Sequence, residues 1–221
     1  MLRKFDLFFA IFIIFCGCTK SMHQHKAYYH DDGRSKPVVA LIPVFDRSNA
    51  KVAWNLSEEF TDHMRQRFSK RNNFYLNSAD QINTEIETLS ESNNPFAPDI
   101  SWITRAFKGE EYVIFTELVE HDIHPKKSKG SVFDKLTPSY ELSMTMRVRV
   151  FDLRSDMPRV VLQELMHQDH LIPKPANLSD SKPNLWKKRT FFITPLGLAH
   201  MQFSKEIVER IEDYVLLSKS R

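Results

Sequence analysis

The sequence predicts an α/β (α+β) domain: a single mixed sheet of about four to five strands, amphipathic helices covering it, and a long C-terminal helix. Three observations predict this. Residues 37–45 and 112–115 are apolar runs, residues 140–151 alternate cleanly, and apolar residues recur at helical spacing around them.

Residues 37–45 (PVVALIPVF) have the composition of a strand buried on both faces. Pro43 has no N–H, so near its end one side of this strand lacks a hydrogen-bonded neighbour. Asn55 with Glu58 reads as an N-cap and its box partner, after which Leu56, Phe60, Met64 and Phe68 recur every four residues. Acids lie early and bases late in this helix, as its dipole favours, and Asn72-Asn73 ends it. A short strand at 74–76 precedes a helix capped by Ser78 with Gln81 and striped by Ile82, Ile86 and Leu89. Asp99 is expected to cap a third helix carrying Ile100, Ile103 and Phe107, stopped by Gly109. A second apolar strand begins at Tyr112. From Tyr140, even-numbered residues are apolar and Ser143, Thr145, Arg147 and Arg149 face the other way, so one face is core and one wet. The turn at 155–158 leads into a return strand from Arg159 to about Leu171, and Pro173, Pro175 and Pro183 mark a long loop. Thr194-Pro195 then opens the longest helix, to about Leu217, with Leu196, Ala199, Phe203, Ile207, Ile211, Tyr214 and Val215 on one side.

Composition narrows the function classes. The chain is 42% hydrophobic and 27% charged, which fits a globular domain and not a disordered chain. A net charge of +3 falls short of what phosphate-backbone binding demands, so no nucleic-acid partner is expected. The only glycines are Gly17, Gly33, Gly109, Gly130 and Gly197, too scattered for a GxGxxG turn or a Walker loop, and no cofactor is expected.

At the N-terminus, Arg3 and Lys4 precede an apolar run from Leu7 to Phe15, well short of the ~20 residues of a membrane-spanning helix and of signal-peptide length. Phe15-Cys16-Gly17-Cys18 resembles the lipobox of bacterial lipoproteins, with Phe15 in place of Leu and Cys16 in place of Ala or Ser. The resemblance implies a leader over 1–17, lipid on Cys18, and a palmitate-type membrane anchor. A plain secretory signal cut after Gly17, or an uncleaved N-terminal anchor, is the other reading. By the sorting rule of such lipoproteins, Thr19 implies the outer membrane, facing the periplasm. Residues 18–36 read as the lipidated cysteine and a polar tether, and 37–221 as one domain.

The element order carries a second resemblance. Val39 to Asp46 (VALIPVFD), Gly109 to Thr116 (GEEYVIFT) and Val150 to Arg154 (VFDLR) resemble three motifs of the domain shared by the TolB N-terminal region, lipoprotein activators of penicillin-binding proteins, the curli secretion lipoprotein and flagellar outer-membrane lipoproteins. This resemblance implies a non-catalytic binding or regulatory module in cell-envelope assembly, with an envelope protein as partner. The alternative is a subunit of an outer-membrane secretion assembly; the insert at 123–139 carries Lys126, Lys127, Lys129 and Lys135 and no apolar band, which speaks against a channel. Oligomeric state stays open.

Candidate chemistry is sparse. His121 with His124, and His167 with His170, form two HxxH pairs, zinc-ligand types with Asp122 and Asp169 inside them. On a strand, residues three apart point to opposite faces, so neither pair converges by itself and no metal site is assigned. One histidine of each pair, His121 and His167, can still meet if the strands adjoin. No nucleophile sits beside a general base or an oxyanion-type turn, so an enzyme is not expected. Trp186, Lys187, Lys188, Arg189, Phe191 and Phe192 combine aromatics with bases, the composition of an interface hot spot. The aromatics can equally cap the sheet as a satellite core.

Overall fold

A computed structural model of the chain describes residues 28–87, 93–126, 139–173 and 182–221. Cys18, the leader, the first part of the expected tether, and Lys127, Lys129 and Lys135 lie outside the described residues. The chain divides into two compact units at Lys36 and Pro37. In the first, residues 28–36 close on themselves: Tyr29 bridges Ser35, Gly33 takes a φ of 83°, and Asp32 accepts from Arg34.

The second unit holds β1 (Val38–Leu41), β2 (Phe45–Asp46), α1 (Leu56–Arg71), β3 (Tyr75–Leu76), α2 (Ala79–Glu87), α3 (Ile103–Ala106), β4 (Tyr112–Pro125), β5 (Ser139–Asp152), β6 (Arg159–Pro173) and α4 (Pro195–Lys219). They form one six-stranded sheet in the order β3-β1-β4-β5-β6, with β2 also on β4. β1 pairs parallel with β3 and β4, whereas β4, β5 and β6 make an antiparallel meander. The mixed sheet, the covering helices and the long last helix are those the sequence predicts.

The caps explain where helices begin and end. Asn55 Oδ1 accepts from the Glu58 N–H at 3.1 Å, and Asn72, left-handed at φ 57°, closes α1 by donating its N–H to the Phe68 carbonyl. Thr194 Oγ1 accepts from the Gly197 N–H at 3.0 Å ahead of α4. Gly197 is required there, because a Cβ would stand 2.1 Å from the Phe191 carbonyl oxygen.

Two elements differ from expectation. The first apolar run splits at Pro43 into β1, flanked on both sides, and β2, paired with β4 alone; the Val44 N–H turns to Thr61 Oγ1 at 2.9 Å. The third helix shrinks to one turn, because Asp99 Oδ1 is engaged by Ser101 N and Oγ at 3.0 and 2.8 Å, holding a local turn instead of a helix start. Ile103 and Phe107 are core residues regardless.

The sheet has unequal cover. On one face α1 and α4 pack over the even-numbered residues of β5, from Leu142 to Val150, and over Tyr112, Ile114 and Leu118 of β4. On the other, Ile82, Trp102, Ile103 and Phe107 cover the base of the sheet at Val113, Phe115 and Phe151, and the segment 95–97 extends that cover over Arg149 and Arg147, whose guanidinium lies on the Phe96 ring. Beyond that point the β4–β6 arm is covered on one face only, among the described residues.

Candidate functional site

A register shift between Leu118 and Glu120 re-aims the outer half of β4, so that His121 enters the space beneath the helices. It is 3% exposed. α1 contributes Glu59 and His63, one turn apart on its buried face, and α4 contributes His200. Glu59 and His200 are fully buried. Glu59 accepts from Trp54 Nε1 at 2.6 Å and from His200 Nδ1 at 2.7 Å, and His200 Nε2 lies 2.9 Å from His121 Nε2. One proton between those two nitrogens completes a chain running from carboxylate to sheet.

Burial is the first cause of the shifts at His121 and His63. Desolvation, reinforced by His200, pushes His121 down to about 3, so it is a neutral imidazole. His63 is lowered for the same first reason, and neither of its ring nitrogens has a hydrogen-bond partner. Burial opposes the Glu59 charge, but His200 and the Trp54 N–H outweigh it and hold the carboxyl below its ordinary value. A pocket of about 240 Å³ opens beside His121, lined also by Asn49, Lys51, Val52, Asp122 and Ile123. The chain can hold and shift a proton; among the described residues no serine, threonine or cysteine lines the pocket.

The opposite face of the arm carries a separate network. Thr145 Oγ1 lies 2.5 Å from Glu120 Oε2 and 2.8 Å from His167 Nδ1. Ser143 Oγ donates to Asp169 Oδ1 at 2.6 Å and lies 3.4 Å from His124 Nε2, while His167 Nε2 is 3.3 Å from Asp169. His121 and His167 therefore do not meet. They pair with Met144 and Thr145, neighbours in β5 that point to opposite faces. His170 bonds Gln168 on the helix-covered side, 2.9 Å away. Among the described residues no three His, Cys, Asp or Glu side chains are arranged to hold a metal ion.

The aromatic and basic cluster is divided by its packing. It folds into two 3₁₀ turns, Leu185–Lys187 and Phe191–Ile193. Trp186 and Phe191 are buried in the core with α1 and α4, Trp186 against His63 and Phe191 edge-on to Trp54 at 5.6 Å. Their exposures are only 3% and 2%. Phe192 is half-buried, Lys187 pairs with Glu58 at 2.7 Å, and Lys188 and Arg189 are exposed. Sequence reasoning did not single out Glu59 or His200; the only signal was a polar residue inside the apolar stripe of each helix.

Residues 24–219 match the model of a family described as Family of unknown function (DUF7499). The chain belongs to that family. A comparison of this DUF7499 chain with curated proteins finds no match. Among solved structures, it is similar to the hypothetical protein CT253 from Chlamydia trachomatis, with 28% identity and a TM-score of 0.60 over 82% of this chain and 98% of that one. It is more distantly similar to the Lipoprotein GNA1162 from Neisseria meningitidis, with 13% identity and a TM-score of 0.39 over 77% and 96% of the two chains. For the LpoB C-terminal domain from Escherichia coli the values are 16% and 0.37, over 63% and 87%.

Proposed function

We propose that this DUF7499 chain is an envelope lipoprotein, anchored in the outer membrane by lipid on Cys18 and facing the periplasm, whose domain is a non-catalytic docking module for an envelope protein. The observation that carries the docking reading is the open face of the β4–β6 arm. There Glu120, His124, His167 and Asp169 are held by Ser143 and Thr145 in a preset network, with Arg147 beside it and Leu165 and Leu171 exposed among them. Pre-positioned polar groups around solvent-exposed leucines need little ordering on contact, which favours binding. The anchor reading is supported by the basic start, the short apolar run and Gly17-Cys18. Among the described residues no helix is long and apolar enough to cross a membrane.

The test is labelling of cells with a palmitate analogue together with crosslinking from Leu171, in the wild type and in Cys18→Ala. Label on the wild type alone, with a Cys18-dependent crosslink to one envelope protein, is the expected result. Label that survives Cys18→Ala overturns the anchor. A crosslink pattern insensitive to charge reversal at Arg147 and Glu120 overturns the docking face.

A further inference from the structure

β6 ends the sheet, and among the described residues no backbone group outside the sheet bonds its outer edge. Proteins usually protect so long an edge with lysine, proline or a bulge. β6 runs for 15 residues, has no lysine, and carries proline only at its last position, Pro173. Its pairing with β5 is regular from Leu162 onward. The bulge at Val161 lies near the start of β6, and the edge left open beyond it, among the described residues, is a template for another strand.

The side chains name that strand. Residues 165–171 read Leu-Met-His-Gln-Asp-His-Leu. Leu165, His167, Asp169 and Leu171 pair with Arg147, Thr145, Ser143 and Glu141, so all four stand on the open face. Leu165 and Leu171 are 62% and 61% exposed, and the His167 and Asp169 side chains 50% and 46%. Reversing the strand about Gln168 sets Leu165 opposite Leu171 and His167 opposite Asp169, each twice. Two antiparallel strands that share their faces must be centred on a residue. Centring on His167 sets Leu165 against Asp169, centring on Met166 sets it against His167, and centring on Asp169 opposes two carboxylates. The Gln168 register alone matches apolar to apolar and imidazole to carboxylate, the pairings that stabilise neighbouring strands.

We propose that β6 pairs antiparallel with β6 of a second copy about a two-fold axis at Gln168, joining the two sheets into one. On the helix-covered face each Gln168 amide is bonded to Glu206 of its own α4, so that carboxylate is engaged within its chain. A two-fold contact uses the same edge of both copies and closes on itself, giving a dimer and not a ring. The contact requires no lipid on Cys18, and it sets two open faces side by side.

The test uses the full chain with Cys16→Ser and Cys18→Ser, measured by sedimentation in detergent corrected for bound mass. The chain of 26.0 kDa is expected to sediment as a dimer. His167→Asp opposes two carboxylate pairs and should weaken the dimer at least about tenfold, while His167→Asp with Asp169→His restores it to within about threefold. That rescue separates lost pairing from lost folding. In the same background, Leu165→Cys and Leu171→Cys chains are expected to form a disulfide with each other when mixed, and neither with itself. A monomer at about 100 μM, a disulfide in another register, failure of the swap to rescue a folded chain, or occupation of the edge by a different protein overturns the proposal.

Discussion

The two faces of the β4–β6 arm are built from the same side-chain types and behave as opposites. Beneath α1 and α4, Glu59, His200 and His121 are buried, and burial keeps the His121 ring neutral. One strand thickness away, Glu120, His124, His167 and Asp169 make the same kinds of bond in contact with solvent. Chemistry of the groups is therefore not what separates structural from available histidines. The separating variable is which side of the pleat each occupies, and whether a helix lies over it.

The contrast can be broken most severely from the buried side. His200→Ala leaves the Glu59 carboxylate buried with only the Trp54 N–H, and should cost about 3–5 kcal/mol in denaturant unfolding. Acid should probe the same face without mutation. The folded His121 value lies below that of the unfolded chain, so its stabilising effect is complete above about pH 6.5 and is lost as pH falls toward 3, by about 1.4 kcal/mol per pH unit. His63 and Glu59, both lowered, add loss in the same direction. Unfolding at pH 5 should thus show about 2 kcal/mol less stability than at pH 7 from His121 alone, and a flat profile between those values contradicts its burial as a neutral ring. On the open face, Thr145→Val removes the hydroxyl shared by Glu120 and His167 and should cost about 1 kcal/mol. Glu120→Ala, at the solvent margin, should change stability by less than about 0.5 kcal/mol by the same assay. Equal costs for His200→Ala and Glu120→Ala would erase the distinction between the faces.

Much of this was legible in the sequence because it depends on neighbours along the chain. Asn55 and Thr194 announce their helices by bonding N–H groups three residues on, and period-two alternation alone separates His121 from His124. The polar outer half of β4 was harder to read, since an arm covered on one face loses the continuous apolar run that marks Tyr112 to Phe115. Trp186 and Phe191 were ambiguous because an aromatic beside lysines looks the same whether a partner or its own α1 and α4 receive it. The buried chain was invisible for a simpler reason: Glu59 and His200 are 141 residues apart, and His121 and His200 are 79 apart. No local pattern encodes a meeting over such distances.

The placement of β1 bears on how the molecule is made. It comes first among the described strands, yet it sits in the interior of the sheet, with β3 on one side and β4 on the other. A chain emerging N-terminus first carries Val39, Ala40 and Leu41 without their second neighbour until Tyr112, Val113 and Ile114 have followed. Pairings so distant in sequence form late. The interior of the sheet is therefore completed only after the first strand of the meander is available to pair with β1.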